Sequence, residues 1–159
     1  MNIVLTRPRY NTHILSPPIG MGYVSSYLKM HGHHTKIIDG LNLNLSNEEI
    51  VKQCEQLDAK LVGMYVMSAY FLSAVDLIKK LQERGFKVVL GGAHPTFMPK
   101  FTFEKSGADF IIAEEAEKTM LDLVNALERN DPVDRIPGLY TKDNPDNYIQ
   151  RKPTINLDE

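Results

Sequence analysis

Short apolar runs recur along the chain at intervals that fit buried β-strands. Each run is rich in valine, isoleucine and leucine and is bounded by polar residues or glycine. Uninterrupted apolar runs of this kind are typical of parallel strands that are buried on both faces. The pattern therefore predicts five strands, at residues 2–6, 35–39, 60–67, 87–92 and 109–113.

Apolar residues between these runs follow helical spacing instead. Residues 71–81 carry an apolar stripe at i, i+3, i+4 and i+7, and residues 120–127 carry a second one. Gly32 and Gly85 follow two of the helical stretches, where glycine commonly ends a helix in a left-handed conformation. Strands and helices thus alternate along most of the chain.

This alternation indicates an α/β domain with a doubly wound, flavodoxin-like, five-stranded parallel sheet and helices on both faces. Ser46 and Glu49 have the spacing of a capping box and predict the start of one of those helices. After Pro137 the pattern changes, and the segments 138–142 and 148–151 flank a polar turn. They predict a C-terminal hairpin.

Composition and charge exclude several classes of function. The chain has 159 residues, of which 43% are hydrophobic, and a net charge of −2 with no basic cluster, so neither nucleic acid nor a membrane surface is an expected partner. It begins without a signal-peptide pattern, which predicts a cytoplasmic location. Cys54 is the single cysteine, so this chain cannot supply the thiolates for an iron–sulfur cluster.

The sequence Gly20-x-Gly22 resembles part of a dinucleotide-binding loop, with Ser25 in place of the third glycine. That loop requires a tight turn from the first strand into the helix. Here about a dozen residues separate Thr6 from Gly20. Asp39 does occupy the place of a ribose-binding acid, but the long loop argues against a dinucleotide.

A phosphoacceptor receiver domain is the second alternative for such a fold. It requires carboxylates after the first strand, to hold Mg²⁺, and an aspartate at the end of the third. Thr6-Arg7 and Met67-Ser68 occupy those positions. This alternative fails at both places.

Small residues occupy the predicted strand ends, where ligands bind in sheets of this type. Together with the segments around them they resemble the N-terminal cobalamin-binding domains of cobalamin-dependent radical SAM enzymes. The segments that carry the resemblance are "PPIGMGYVSSYLKMHGHHTKIIDG", "LVGMYVMSAY", "VVLGGAHPTFMP" and "ADFIIAEEAEKTMLDL", with "INLDE" similar to the segment that precedes the radical SAM barrel.

The resemblance implies that residues 1–135 bind cobalamin, with the corrin ring across the carboxyl edge of the sheet and the nucleotide tail beside a helix. Residues 136–159 would be a hairpin and a linker toward a barrel outside this chain. S-adenosylmethionine and an iron–sulfur cluster would belong to that barrel. The implied cofactor-binding residues are Pro18, Gly20, Gly22, Tyr23, Ser68, Gly91, Gly92, His94, Glu115 and Glu117.

No residue of this chain is assigned as catalytic or as a metal ligand, and whether the chain alone is an enzyme stays open. The parent type would be a methyltransferase or a cyclase. The family motif Gly-Glu-Gly-Glu reads Glu-Glu-Ala-Glu at positions 114–117. A degenerate, cofactor-free scaffold or docking module of the same fold is therefore the alternative function.

Several side chains have simpler interpretations. His13 lies in a near match to a cobalt-ligating motif and is expected in solvent, and the three histidines His31, His33 and His34 are expected in a surface turn. Cys54 lies on an apolar stripe and predicts a core thiol. Gly92→Val is expected to abolish cobalamin binding yet to leave the fold nearly intact, so that Gly92 tolerates a larger side chain, because it lies at a strand end and not in the core.

Overall fold

The computed structural model describes residues 1–13, 15–146 and 148–151. The resemblance assigned to residues 155–159 lies outside these ranges. The strands are β1 (Asn2–Arg7), β2 (His34–Asp39), β3 (Leu61–Tyr65), β4 (Lys87–Gly91), β5 (Phe110–Ile112) and β6 (Leu139–Thr141). The helices are α1 (Ile19–Met30), α2 (Asn47–Gln56), α3 (Phe71–Glu83), α4 (Ala93–Phe97), α5 (Pro99–Ser106) and α6 (Glu117–Arg129), with a 3-10 turn at Ser68–Tyr70.

The six strands form one sheet in the order β2-β1-β3-β4-β5-β6. The first five are parallel, so all five predicted strands are confirmed, although β3 ends at Tyr65 rather than at residue 67. Two apolar cores cover the two faces of the sheet. One contains Leu28 and Leu123, from α1 and α6, and the other contains Ile50 and Ile78, from α2 and α3.

The helix ends follow the predicted signals. Ser46 accepts a hydrogen bond from the Glu49 backbone N–H, and the Glu49 carboxylate accepts one from the Ser46 N–H, which completes the capping box. Gly32 and Gly85 have φ values of +84° and +82°. Both adopt the left-handed conformation that glycine reaches without strain.

The C-terminal hairpin was predicted with the wrong partner strand. Residues 139–141 do form a strand, but β6 pairs antiparallel with β5, and residues 148–151 belong to no strand. Since β5 would otherwise be an exposed edge, pairing with β6 satisfies its free backbone groups. The tail instead contacts α6, where Arg151 binds Asp122 at 2.6 Å and the Thr119 hydroxyl at 2.7 Å.

Within the described ranges, no helix has the length and apolar character needed to cross a membrane. The carboxyl ends of β1, β3 and β4 lie side by side at one edge of the sheet because these strands are parallel neighbours. The predicted site residues lie at strand ends, in loops and in the helices that start at this edge.

Candidate functional site

A groove opens at the carboxyl edge of the sheet, between α1 and α6, and encloses a cavity of about 210 Å³. We call it the α1–α6 groove. The strands form its floor, α1 forms one wall, and the β5–α6 loop with the start of α6 forms the other. Its apolar lining includes Leu5, Met21, Val24, Val89, Ile112 and Met120.

Two glycines keep the groove open. A Cβ atom built on Gly20 or on Gly91 would have no atom within 4 Å apart from those of the adjacent backbone, so each glycine borders free space. A third, Gly63, lies on the floor, where a Cβ would come within 2.7 Å of Leu5 Cδ2. Gly63 was not among the site residues predicted from the sequence, although glycine inside a buried strand is a signal of close packing.

Gly92 has a different role from Gly91. Its φ is +106°, and a Cβ there would lie 2.7 Å from the Val66 carbonyl oxygen and 2.9 Å from the Tyr65 ring. The expectation that Gly92 tolerates a larger side chain is therefore wrong. The backbone requires glycine here whether or not a ligand is bound.

Gly92→Ala is expected to lower the free energy of unfolding by about 2 kcal/mol. Alanine would be strained in the positive-φ conformation of this residue, and its Cβ would lie too close to neighbouring atoms. Urea unfolding followed by circular dichroism measures this change. Gly91→Ala is the matched control, because its Cβ meets open space. Equal stability of the two variants would contradict the assignment.

The mouth of the groove is acidic. Glu114, Glu115 and Glu117 line it together with Ala116. Glu114 stands where the resembled family has glycine, and it has a φ of +61°, so the backbone keeps a left-handed conformation at that position. Its N–H donates to Thr96 Oγ1 at 3.2 Å.

Five of the ten predicted site residues line this groove, namely Gly20, Gly91, Gly92, Glu115 and Glu117. Pro18, Gly22 and Tyr23 belong to the start of α1 but do not line it. Tyr23 is 65% exposed. Ser68 and His94 lie together beyond the ends of β3 and β4.

Ser68 and His94 form a pair. The Ser68 hydroxyl lies 2.9 Å from His94 Nδ1, and the imidazole stacks on the Phe71 ring with 4.1 Å between centroids. His94 is 6% exposed, and its Nε2 has no hydrogen-bond partner in the described part of the chain. The residue is therefore buried in α4.

Burial lowers the pKa of His94 below the ordinary value of 6.5. The unfolded chain therefore binds a proton more readily than the folded one, and stability must fall as the pH drops below about 6.5. His94→Phe should flatten this part of the stability curve. Urea midpoints from pH 7.5 to 5 test the prediction, and identical slopes for wild type and variant would contradict it.

The β1–α1 loop is anchored by a buried ion pair. Arg7 Nε and Nη2 donate to the two carboxylate oxygens of Asp39 at 2.8 and 2.9 Å, and Nη2 also donates to the Ser16 carbonyl at 2.7 Å. Both carboxylate oxygens of Asp39, which was considered above as a ribose ligand, therefore accept hydrogen bonds from Arg7. Its place beside Arg7 follows from the parallel register of β1 and β2.

The model of the B12 binding domain family matches residues 11–124, which is more than half of the chain and includes every lining residue of the groove except Leu5. The chain belongs to the B12-binding domain family.

Relatives of this B12-binding domain are longer proteins. An uncharacterized methyltransferase of Pyrococcus horikoshii is 33% identical over 132 residues, covering 80% of the chain and 28% of the relative. Cytidylyl-2-hydroxyethylphosphonate methyltransferase of Streptomyces wedmorensis is 26% identical over 163 residues, and the match covers 88% of this chain and 30% of the relative. The chain therefore spans less than a third of the length of these two relatives.

Solved structures show the same fold. The radical S-adenosylmethionine methyltransferase TsrM from Kitasatospora setae, solved with cobalamin and a 4Fe-4S cluster, has a TM-score of 0.80, 18% identity, and coverage of 88% of this chain and 28% of that one. The cobalamin-dependent S-adenosylmethionine radical enzyme OxsB has a TM-score of 0.75 and 22% identity, and the match covers 96% of this chain and 22% of that one. The flavodoxin-like fold is therefore confirmed for this B12-binding domain.

The predicted exposure of the remaining histidines and of Cys54 agrees with the structure except at one residue. His13, His31 and His34 are exposed, but His33 is 6% exposed and its Nε2 lies 3.1 Å from Asn125 Oδ1 on α6. The surface-turn prediction is therefore wrong for His33. Cys54 is buried in the core, as predicted, and burial raises the pKa of its thiol to about 12.

Proposed function

We propose that this B12-binding domain binds cobalamin and holds its nucleotide tail in the α1–α6 groove. The observation that carries the proposal is the open space beside Gly20 and Gly91, two glycines that the backbone conformation does not require. A flat group can enter there without displacing a side chain. Family membership supplies the chemical class of the ligand.

The apolar walls suit the aromatic base at the end of the tail. Met21 and Val24 from α1 face Val89 of the sheet and Met120 of α6 across the groove. A planar base placed among them loses contact with water on both faces, which contributes roughly 25 cal/mol per Å² of apolar surface buried. The flexible methionines adapt to the shape of the base.

The charges of the groove orient the tail. Its phosphodiester is anionic, so the carboxylates of Glu114, Glu115 and Glu117 oppose it at the β5–α6 side. The first turn of α1 carries no acidic residue, and within the described structure the N–H groups of Gly20 and Met21 have no acceptor. Helix N-termini favour anions, so the phosphate lies toward α1.

This arrangement leaves the corrin ring over the carboxyl edge of the sheet, outside the groove. When bound, cobalamin supplies a cobalt centre that accepts and transfers alkyl groups or electrons. The residues of this chain bury the tail, orient the ring and exclude water from the groove. Of the predicted site residues, Pro18, Gly22, Tyr23, Ser68 and His94 remain predicted contacts outside the groove.

The partner is proposed to be a radical SAM barrel that carries S-adenosylmethionine and an iron–sulfur cluster. Support comes from the longer relatives and from the folds of TsrM and OxsB. Residues 1–135 would form the cobalamin-binding domain, and residues 136–159 would lead to the barrel. A cytoplasmic location belongs to the same proposal.

Titration with hydroxocobalamin, followed by visible absorbance and calorimetry, tests the proposal. We expect saturable binding with one corrinoid per chain and a weaker affinity than in an enzyme whose barrel covers the other face of the ring. A flat calorimetric trace at high cobalamin concentration would overturn cobalamin binding and favour the cofactor-free scaffold.

A further inference from the structure

The α1–α6 groove reaches well below the carboxyl edge of the sheet. Leu5, Gly63 and Val89 line it and are register partners across β1, β3 and β4. Each stands two residues before the end of its strand. Since a strand rises about 3.3 Å per residue, these three residues lie roughly 7 Å below the edge. We call them the floor row.

Apolar side chains close the groove over the floor row. A Cβ on Gly63 would lie 2.7 Å from Leu5 Cδ2 and 3.3 Å from Met120 Cε. The side chains of Leu5 and Met120 therefore fill the space above Gly63. Leu5 is 4% exposed and Met120 is 2% exposed. The groove thus ends at a buried apolar surface.

The floor row offers no hydrogen-bonding group to a ligand. Its side chains are aliphatic, or absent at Gly63. Because β1, β3 and β4 each have a neighbouring strand on both sides, their peptide N–H and C=O groups are used within the sheet. Met120 adds only a thioether sulfur, which is a weak acceptor.

The polar side chains of the groove lie at its mouth instead. Tyr65 ends β3, and its ring carbons come within 2.9 Å of a Cβ position on Gly92, beyond the end of β4. Glu114, Glu115 and Glu117 follow β5. Among the lining residues, all of which the structure describes, no other side chain carries nitrogen or oxygen. The groove therefore has a polar mouth and an apolar floor.

We infer that the groove selects corrinoids by the base at the end of the tail and takes a benzimidazole in preference to a purine. The inference rests on the proposed function and extends it, because it names the class of corrinoid. Benzimidazole and adenine are fused rings of similar size, but adenine has an amino group and additional ring nitrogens. At the floor row these groups lose water without gaining a partner, which opposes binding.

Calorimetry with three dicyano corrinoids tests the inference: the cobamide with an unmethylated benzimidazole base, the cobamide with an adenine base, and cobinamide, which lacks the nucleotide tail. Cyanide occupies both axial positions of cobalt in all three, so neither base is bound to the metal. The benzimidazole form should bind about tenfold more tightly than the adenine form, the effect of one polar group buried without a partner.

A polar group placed at the floor row should reduce this preference. Met120→Gln introduces an amide near Gly63 that can donate to adenine and accept from it, so the preference should fall to about threefold or less. Met30→Gln is the matched control, because Met30 also lies on a helix but is 81% exposed and does not line the groove. It should keep the tenfold preference. An unchanged preference in a folded Met120→Gln variant would mean that the base does not reach the floor row, which overturns the inference.

The wild-type affinities decide the inference without either variant. If the adenine form binds as tightly as the benzimidazole form, the inference is overturned and the proposed function stands. If cobinamide binds as tightly as both cobamides, the tail does not use the groove, and the tail placement fails together with the inference. If no corrinoid binds, cobalamin binding itself fails.

Discussion

Gly91→Val is expected to weaken cobalamin binding by about 100-fold or more, which corresponds to roughly 3 kcal/mol. A Cβ at residue 91 borders the α1–α6 groove, where it meets no protein atom within 4 Å apart from its own residue and its chain neighbours. The two additional methyl groups of valine would occupy the space proposed for the tail. Calorimetric titration with hydroxocobalamin measures the loss.

The same variant should keep its fold. Gly91 is the last residue of β4 and does not have a positive φ, and valine has a higher β-propensity than glycine. We therefore expect a free energy of unfolding within about 1 kcal/mol of wild type. A folded variant that binds cobalamin as wild type does would exclude the groove as the tail site.

Dicyanocobinamide provides the matched ligand control. Because it lacks the nucleotide tail, its affinity should be nearly the same for wild type and Gly91→Val. Gly91→Ala should show an intermediate loss of cobalamin affinity, since one methyl group fills less of the groove. A loss that is equal for both ligands would place the effect on the corrin ring rather than on the tail.

The five parallel strands could be predicted from the sequence because strands that are buried on both faces have uninterrupted runs of apolar residues. Helices α4 and α5, residues 93–106, were missed because Pro95 and Pro99 interrupt the segment and no apolar stripe marks it. Proline at the start of α5 is nevertheless a usual first helical residue. The β5–β6 pairing was also missed, since the choice of an edge partner depends on tertiary contacts that local pattern does not contain.

In the candidate site, too, the sequence predicted which residues lie near the groove but not the contacts that define their roles. The sequence identified Gly91 and Gly92 as a pair, yet their roles differ because one has free space and the other has a positive φ and a carbonyl oxygen at 2.7 Å from its Cβ position. Residue type alone cannot separate these roles. His33 was assigned to the surface for a related reason, as its partner Asn125 lies 92 residues away in sequence.

The second large effect concerns the ion pair that anchors the β1–α1 loop. Asp39→Asn is expected to lower the free energy of unfolding by about 3 kcal/mol, because it leaves the Arg7 guanidinium, 3% exposed, buried without a countercharge. Urea unfolding at neutral pH measures the change, with a constant m-value as evidence that the compactness of both states is retained.

Asp58→Asn is the matched control for this prediction. It makes the same substitution in the exposed Lys60–Asp58 pair, where the side chains are 58% and 74% exposed, and such pairs contribute about 0–1 kcal/mol. Asp58 has a φ of +47°, which asparagine accepts readily. If Asp39→Asn proves as mild as this control, the buried pair does not stabilise the fold.

The double variant Arg7→Met/Asp39→Asn separates loss of the pair from burial of an unpaired charge. Methionine removes the guanidinium, while asparagine keeps an oxygen that accepts from the backbone N–H groups of Leu41 and Asn42, as Asp39 Oδ1 does at 3.2 Å. Because replacing a buried ion pair with neutral groups often costs little, the double variant should be more stable than Asp39→Asn. It should still bind cobalamin more weakly than wild type, since the hydrogen bond from Arg7 to Ser16 that holds the loop before α1 is lost.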